Sequence, residues 1–468
     1  MMNFGVIVTT RSFFSSELAK TERNNILDKL KLEGHGAIIP DIDATFAGSV
    51  SSYDDAKVYS EYFKKHVDEI DGIIVVLANF GDETSVAETI QRSNLSVPIL
   101  ILACDDETDK LDLARRRDAF CGKISLCNNL YQRNIKFTTT KIHTLKINSD
   151  VMTEELIRFS GVCRVVKGLK NLRIAAIGAR PDAFHTVRFS EKILQASGIT
   201  TVVTDLSEII AKANSFDDEN AISSKINEIK SYGQVSSKIS DVKLRNQAKL
   251  CIVIENFIKE NDCSASAIQC WNSIQYNYGC ATCTAMSMMG EKGMPSACEM
   301  DVTGALTMYS LYLASSIPSG YLDWNNNFDE DRNMCINLHC SNFPKSFFGN
   351  NDIEIENLDV LSTTIDVGKC FGACKGRVSP GEMTFAKITT DDKNGKIKVY
   401  IGEGEFIEHN IDTKGGVALC KIDNLQELLN YICKNGFEHH VSMARGHVAD
   451  ILEEAFSNYM GFQVYRHK

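Results

Sequence analysis

Two unbroken apolar runs, Asp71–Leu77 (DGIIVVL) and Val97–Ala103 (VPILILA), constrain this chain more than any other feature. Such runs are expected of strands buried on both faces, which requires helices above and below them. Gly5–Thr10 (GVIVTT) and Ala37–Pro40 read as companion strands, with an amphipathic helix over Glu17–Leu32 between them. Strands alternating with helices imply right-handed βαβ units and a parallel sheet, so residues 1–165 are expected to form one doubly wound domain. A second unit of this kind opens at Leu172–Gly178 (LRIAAIG), continues with Thr200–Thr204 and is placed at 166–345. Within it, Lys249–Ile254 lies inside the periodic stretch Asp241–Glu260 and reads as helix, and Asp217–Ser240 is polar with one further helix.

Beyond residue 352 the pattern changes. Leu358–Asp366, Met383–Thr389, Lys396–Ile401 and Val417–Ile422 read as strands, with Lys393–Asn394–Gly395 as a turn between two of them. Helices at Asn424–Lys434 and near Val448–Tyr459 complete the chain. The expected fold is α/β: two doubly wound, Rossmann-like domains followed by an antiparallel, β-rich, barrel-like domain over 346–468.

Composition acts mainly by exclusion. The 468 residues carry 50 Lys plus Arg against 61 Asp plus Glu, a net charge of −11. An acidic chain lacks the basic face that a general nucleic-acid or anionic-membrane binder needs. Its apolar runs are far shorter than the ~20 residues that span a bilayer. The start, MMNFGVIVTTRS, has no basic segment before its apolar stretch and no small-residue cleavage site, so it reads as a first strand. The 16 cysteines are then expected to be reduced thiols of a cytoplasmic protein.

The chemistry-bearing residues are densest over Gln269–Trp324. Gly178–Ala–Arg180–Pro follows a strand but lacks a nucleotide-binding glycine pattern, and reads as a strand–turn junction. Cys280 and Cys283 form a single C-x-x-C without the second short-spaced pair that structural zinc favours; with Cys270 and Cys298 they read as buried thiols. Glu299 and Asp301 stand at the mouth of the apolar helix Val302–Ala314, where acids also simply favour the helix end. Asp323 follows in a polar loop, Gly320–Tyr–Leu–Asp–Trp–Asn–Asn–Asn, and His339 comes after it. His439, His440 and His447 fall within nine residues. Two carboxylates and an imidazole with open positions suit a divalent ion such as Mn²⁺ or Mg²⁺, which can bind neighbouring oxygens of a polyol and polarise a carbonyl.

Four segments, taken in order, resemble the L-fucose isomerase/L-arabinose isomerase family, closest to its fucose isomerase-like branch. They are Arg117–Ser125 with Asn128–Asn129, Ile177–Thr186, Pro295–Ala305 (PSACEMDVTGA) and Phe437–His440, the last assigned to the final helical region. The resemblance implies a metal-dependent aldose–ketose sugar isomerase that works through a cis-enediol, with Mn²⁺ or another divalent ion as cofactor. It implies Glu299 as ligand and acid/base group, Asp323 as the second acidic ligand and acid/base group, and His440 as the histidine ligand, with His439 and His447 as rivals. His339 is expected outside the ion's direct ligands and Gln269 or Gln275 at sugar hydroxyls, while a sulfonate would take Arg180, Arg377 or Arg445. The family assembles as trimers or hexamers, so Phe80, Asp118, Lys123 and Asn129 are expected to reach a neighbour's substrate. The expected substrate is a pentose, a deoxyhexose or a modified, including sulfonated, hexose. The alternative from another class is a non-catalytic sugar-binding or sensor protein with hinged α/β domains, since fold does not fix function.

Overall fold

The computed structural model describes residues 1–112, 115–349 and 352–468, which form two units. The first comprises Met1–Lys167 and Asn458–Gly461. Its elements run β1 (Asn3–Thr9), α1 (Ser16–Leu32), β2 (Gly36–Ile38), α2 (Tyr53–Lys65), β3 (Gly72–Leu77), α3 (Glu83–Ser93), β4 (Ile99–Ala103), α4 (Ala119–Gln132), β5 (Thr138–Thr139) and α5 (Asp150–Leu169). Five strands make one parallel sheet in the order β2-β1-β3-β4-β5. Every residue of β3 and β4 is buried. Side chains alternate across a strand, so Ile74, Val76, Leu100 and Leu102 pack with Ile26 of α1 and Phe159 of α5. Ile73, Val75, Ile99 and Ile101 face the other way, onto Phe63 of α2, Val86 of α3 and Leu126 of α4.

The second unit comprises Gly168–Ser457 and Phe462–Lys468. It opens with β6 (Arg173–Ile177), α6 (Glu191–Ala196), β7 (Thr200–Thr204), α7 (Leu206–Ser215), α8 (Glu219–Tyr232), β8 (Gln234–Val235), α9 (Asp241–Glu260), β9 (Ala265–Ile268), α10 (Ser273–Asn277), α11 (Cys283–Glu291), β10 (Ser296–Cys298) and α12 (Val302–Ser315). Strands β10-β9-β6-β7 form a parallel sheet. There follow β11 (Gly320–Phe328), β12 (Asp331–His339), α13 (Lys345–Phe348), β13 (Glu354–Asn357), α14 (Asp359–Ser362), β14 (Phe371–Arg377), β15 (Gly381–Asp391), β16 (Lys396–Ile407), β17 (Gly416–Lys421), α15 (Leu425–Lys434), β18 (His440–Arg445), α16 (Ala449–Glu453) and β19 (Gln463–Arg466).

These later strands, with β8, make a mixed ten-stranded sheet. Because β16 bonds both β15 and β17, the six strands β16-β15-β18-β11-β12-β17 close into a ring of antiparallel pairs. Closure removes two sheet edges, and the ring is filled by Leu322, Met383, Phe385, Phe406, Val441 and Met443. Helix α12 packs on β15 and β18 and also on β6, β9 and β10. A helix held between two sheets must be apolar nearly all round, and Val302–Met308 is wholly buried. No helix among the described residues is long and apolar enough to cross a membrane.

Three sequence expectations are corrected. The expected strand Leu358–Asp366 holds instead α14 and the loop after it, while the strand, β13, ends at Asn357. Leu358, Leu361 and Ile365 recur at spacings of three and four, the helical interval, and pack together beside Cys370 and Ala373. Asp323 lies in strand β11 rather than in a loop, paired with β12 and β18. Its polar neighbours Asn325–Asn327 are exposed beyond the buried part of that strand, so composition alone suggested a loop. Finally, His440 opens strand β18 and is not helical. The preceding helix, α15, ends at Lys434 before Gly436 turns the chain at φ +62°.

Candidate active site

The site is assembled where the parallel sheet of the second unit hands the chain to α12. Strand β10 ends at Cys298, and Glu299 and Met300 both take left-handed backbone (φ 57° and 63°) before the helix starts. Non-glycine residues in that region cost about 1–3 kcal/mol each and persist where the surroundings hold them. Asp301 then caps α12, its Oδ1 accepting from Gly304 N at 2.7 Å and Thr303 Oγ1 at 2.9 Å. Gly304 is required here, since a Cβ would meet the Tyr321 ring at 2.5 Å.

Strand pairing supplies the other half. In the β11–β18 ladder Asp323 stands directly opposite His440. His440 Nε2 lies 2.8 Å from Glu299 Oε2 and 3.5 Å from Asp323 Oδ1. These three atoms are buried and none makes a hydrogen bond, so the 2.8 Å approach is not aligned as one. Three lone-pair donors converging without satisfying one another is the arrangement expected of ligands to a cation. Glu299, His339 and His440 offer ligand atoms within 4.8 Å of one another, as do Asp323, His439 and His440. Carboxylate and imidazole donors fit Mn²⁺ or Mg²⁺.

The imidazole of His440 is fixed from behind. Its Nδ1 lies 2.5 Å from the Tyr321 hydroxyl and 3.2 Å from Asp301 Oδ2, and Tyr321 donates to that same Oδ2 at 2.8 Å. With the tyrosine proton committed to Asp301, Nδ1–H is the donor toward these oxygens, which leaves Nε2 to face Glu299 and Asp323. Asp301 is balanced by Lys387 Nζ at 2.5 Å, both side chains being fully buried. Burial lowers the basicity of His440, but the Asp301 and Glu299 carboxylates beside it outweigh this and raise it to about 9. Burial raises the Glu299 carboxyl, yet His440 and His339 hold it down at about 2. Glu438, buried two residues before His440, is pushed up by burial and bonds Thr389 through Oε1, leaving Oε2 without a partner.

Aromatic rings wall the cluster. Trp271 Nε1 donates to Glu299 Oε1 at 3.2 Å. Phe184 meets Trp271, His439 and His440 with ring centroids 5.2, 5.7 and 6.4 Å away. A cleft of about 1250 Å³ lies beside the cluster rather than over it, reaching Met300 and Glu438 and lined by Arg180, His185, Arg188, Lys393 and Lys398.

The remaining candidates are placed as follows. Gln269 Oε1 accepts from Ala179 N at 2.9 Å and sits against Gly178, where a Cβ would strike it at 2.5 Å. Gln275 is fully buried, donating to Cys270 O at 2.8 Å with its Oε1 unpartnered. Arg180 donates to the carbonyls of Pro181 and Asp182 at the cleft. His447 lies 3.3 Å from Gly404 O and belongs to neither histidine-containing ligand group. In the first unit, Arg11 stacks on Phe80, Asp118 pairs with Arg116, and Asn129 accepts from Arg133. There the buried Lys123 donates to Thr140 Oγ1 at 2.6 Å and His143 O at 3.2 Å. Sequence reasoning missed Tyr321, Lys387, Glu438 and Trp271, and left Asp301 as a helix-end acid. Only Lys387 carries a readable signal, a charge at an inward position of the apolar run Phe385–Thr389.

Residues 5–170 match the fucose/sulfoquinovose isomerase N-terminal domain, and residues 337–468 match the L-fucose isomerase C-terminal domain. The second match includes His339, Lys387 and His440, whereas Glu299 and Asp323 lie in the stretch between the two. The chain is similar to the sulfoquinovose isomerases of Priestia aryabhattai and Priestia megaterium, 24% identical over 306 residues, covering 65% of this chain and 66% of each relative. The sulfoquinovose isomerase of Alkalicoccus urumqiensis is 23% identical over 298 residues, covering 63% and 64%. The chain thus aligns with just under two thirds of the length of these curated relatives. A solved D-allose-bound periplasmic solute binding protein from Actinobacillus succinogenes 130z matches at 12% identity and a TM-score of 0.17, over 63% of this chain and 84% of that one, an overlap too slight to bear on fold or activity. With domain matches at both ends in the family's order, the chain belongs to the fucose/sulfoquinovose isomerase family.

Proposed function

We propose that this chain is a divalent-metal-dependent aldose–ketose isomerase, with Glu299, Asp323 and His440 holding Mn²⁺ or a similar ion. The single observation that carries the reading is the convergence of three buried, unpartnered ligand atoms from β11, β18 and the end of β10. When bound, the ion supplies Lewis-acid polarisation of a carbonyl and its adjacent hydroxyl. Glu299 or Asp323 takes the proton from the carbon beside the substrate carbonyl and returns it to the neighbouring carbon, through a cis-enediol. Asp301, Tyr321 and Lys387 hold His440 in register. Phe184 and Trp271 limit water around the reacting carbons.

Within this reading the substrate is a sulfonated aldohexose. The curated relatives are named for sulfoquinovose, and the adjacent cleft is lined by Arg180, Arg188, Lys393 and Lys398 together with Glu191, Asp391 and Asp392, the basic side chains being the groups that would meet an anion. The protein is read as cytoplasmic and homo-oligomeric, a trimer or hexamer, with Phe80, Asp118 and Asn129 offered to a neighbour's substrate. An apolar stripe of α4, Phe120, Ile124 and Tyr131, is exposed beside the latter two and suits such an interface. The same reading takes the two parallel sheets as doubly wound, Rossmann-like domains, supported by helices on both faces of the first.

The test is ketose formation from L-fucose, D-arabinose, L-arabinose and 6-sulfonated glucose by chelated and Mn²⁺-restored protein. Turnover restored by Mn²⁺ on the sulfonated sugar is expected. Glu299→Gln should fold normally and lose at least about 10²–10⁴ of the rate, the usual range for a positioned acid/base group. Retained turnover in metal-loaded Glu299→Gln would sink the assignment.

A further inference from the structure

Behind Glu299 lies a second donor set of different chemistry. Strands β9 and β10 run parallel with Ile268 opposite Cys298, and both end there. Cys270 follows two residues after the first strand, and Glu299 one residue after the second. The paired strand ends bring two sulfurs and a carboxylate oxygen, from Cys270, Cys298 and Glu299, within 4.8 Å of one another. The cysteines are 2% and 1% exposed, and both are free thiols.

We propose that Cys270, Cys298 and Glu299 form a binding site for thiophilic divalent ions such as Zn²⁺ or Cd²⁺, sharing Glu299 with the Mn²⁺ site. Two thiolates and a carboxylate leave one position open on a tetrahedral ion. With Zn–S bonds of about 2.3 Å the tetrahedral edge is about 3.8 Å, so the donors close in by no more than about 1 Å. Binding breaks two S–H bonds and forms two metal–sulfur bonds and one metal–oxygen bond, and two protons leave to solvent. Soft sulfur donors discriminate against Mn²⁺ and Mg²⁺, which prefer oxygen. An ion seated here draws Glu299 away from His440, so zinc or cadmium opposes the hard ion through a ligand both need. The thiol site stands without the isomerase reading; the opposition to Mn²⁺ rests on it.

The test uses the full chain carrying Cys121→Ser, Cys127→Ser, Cys340→Ser and Cys433→Ser, which removes the exposed and half-buried thiols outside the trio. The metal-free protein is titrated with Cd²⁺ while ultraviolet sulfur-to-cadmium charge transfer and proton release are followed. A band saturating at one ion per chain, with two protons released, is expected. The band should vanish in Cys270→Ala/Cys298→Ala and in Cys298→Ser alone, the second variant serving if the first does not fold. No saturable band in the parent, or a band that survives in the variants, overturns the site and leaves these residues as buried thiols. With Mn²⁺ present at 100 times its Kd, competition for Glu299 should move the Cd²⁺ midpoint about 100-fold. A midpoint unmoved by Mn²⁺ overturns the sharing, and turnover is needed for neither readout.

Discussion

In the first unit the central strands bury aliphatic side chains from Ile73 to Leu77 and from Ile99 to Ala103, each packed onto a helix above or below. In the second, where β11, β18 and the start of α12 meet, the buried groups are Glu299, Asp301, Glu438, Lys387, His339 and His440. An aliphatic contact is non-directional and its loss is local. A buried charge is tolerable only while its partner remains. The first region therefore contributes stability that is spread over many residues. The second concentrates it in a few mutually dependent ones, which also hold the ligand atoms of the proposed metal site in place.

Removing one charge separates the two regions most sharply. Lys387→Met leaves Asp301 charged, buried and without its cation, and should destabilise the chain by about 3–5 kcal/mol. Urea denaturation measures this, and Asp301→Asn added to Lys387→Met should recover part of it. No recovery would mean the pair acts by packing rather than by charge. Leu100→Ala, at the centre of the aliphatic sheet, should cost about 2–5 kcal/mol. Its Mn²⁺ affinity, measured by calorimetry, should stay that of the parent, whereas that of Lys387→Met should fall.

A pH series sharpens the contrast further. His440 titrates near 9 in the folded chain, above its ordinary value of 6.5. A raised basic group adds stability that is complete below pH 6.5 and is lost as pH climbs through about 9. The denaturation midpoint of metal-free protein should decline across that window, and the decline should flatten in His440→Gln. Because the ion needs a neutral imidazole, Mn²⁺ affinity should rise over the same interval. The smallest effect belongs to Tyr321→Phe, which removes one hydroxyl and should cost about 1 kcal/mol of stability. Its loss of Mn²⁺ affinity should be about 10-fold or more, as for other groups that orient a ligand. Unchanged affinity in that variant would show that Asp301 alone orients the imidazole.

The legibility of the sequence follows the same division. Strands β3 and β4 were readable because burial on both faces is a property of the run itself, and α12 because a helix held between two sheets is apolar throughout. The strand identity of Asp323 was hidden, since the exposed asparagines after it imitate a loop. α14 was mistaken for a strand because Leu358, Leu361 and Ile365 are too few to establish a period against β-branched neighbours. Tyr321 and Lys387 could not be connected with Asp301 from sequence, for they come from β11 and β15, 20 and 86 residues away.

By itself, then, the sequence determined the parallel strands, the apolar helix and the stock of carboxylates and imidazoles, because local periodicity and residue type express them directly. Only the tertiary structure decided that His440 is buried within reach of Glu299 and Asp323 while its neighbour His439 stays partly exposed, 3.9 Å from Asp323. The register of β11 against β18 sets His440 opposite Asp323, 1% exposed, and leaves the His439 side chain 41% exposed. A one-residue shift in that ladder would exchange them, because successive strand residues point to opposite faces. The register is fixed by contacts among segments more than a hundred residues apart, and no local pattern records those contacts.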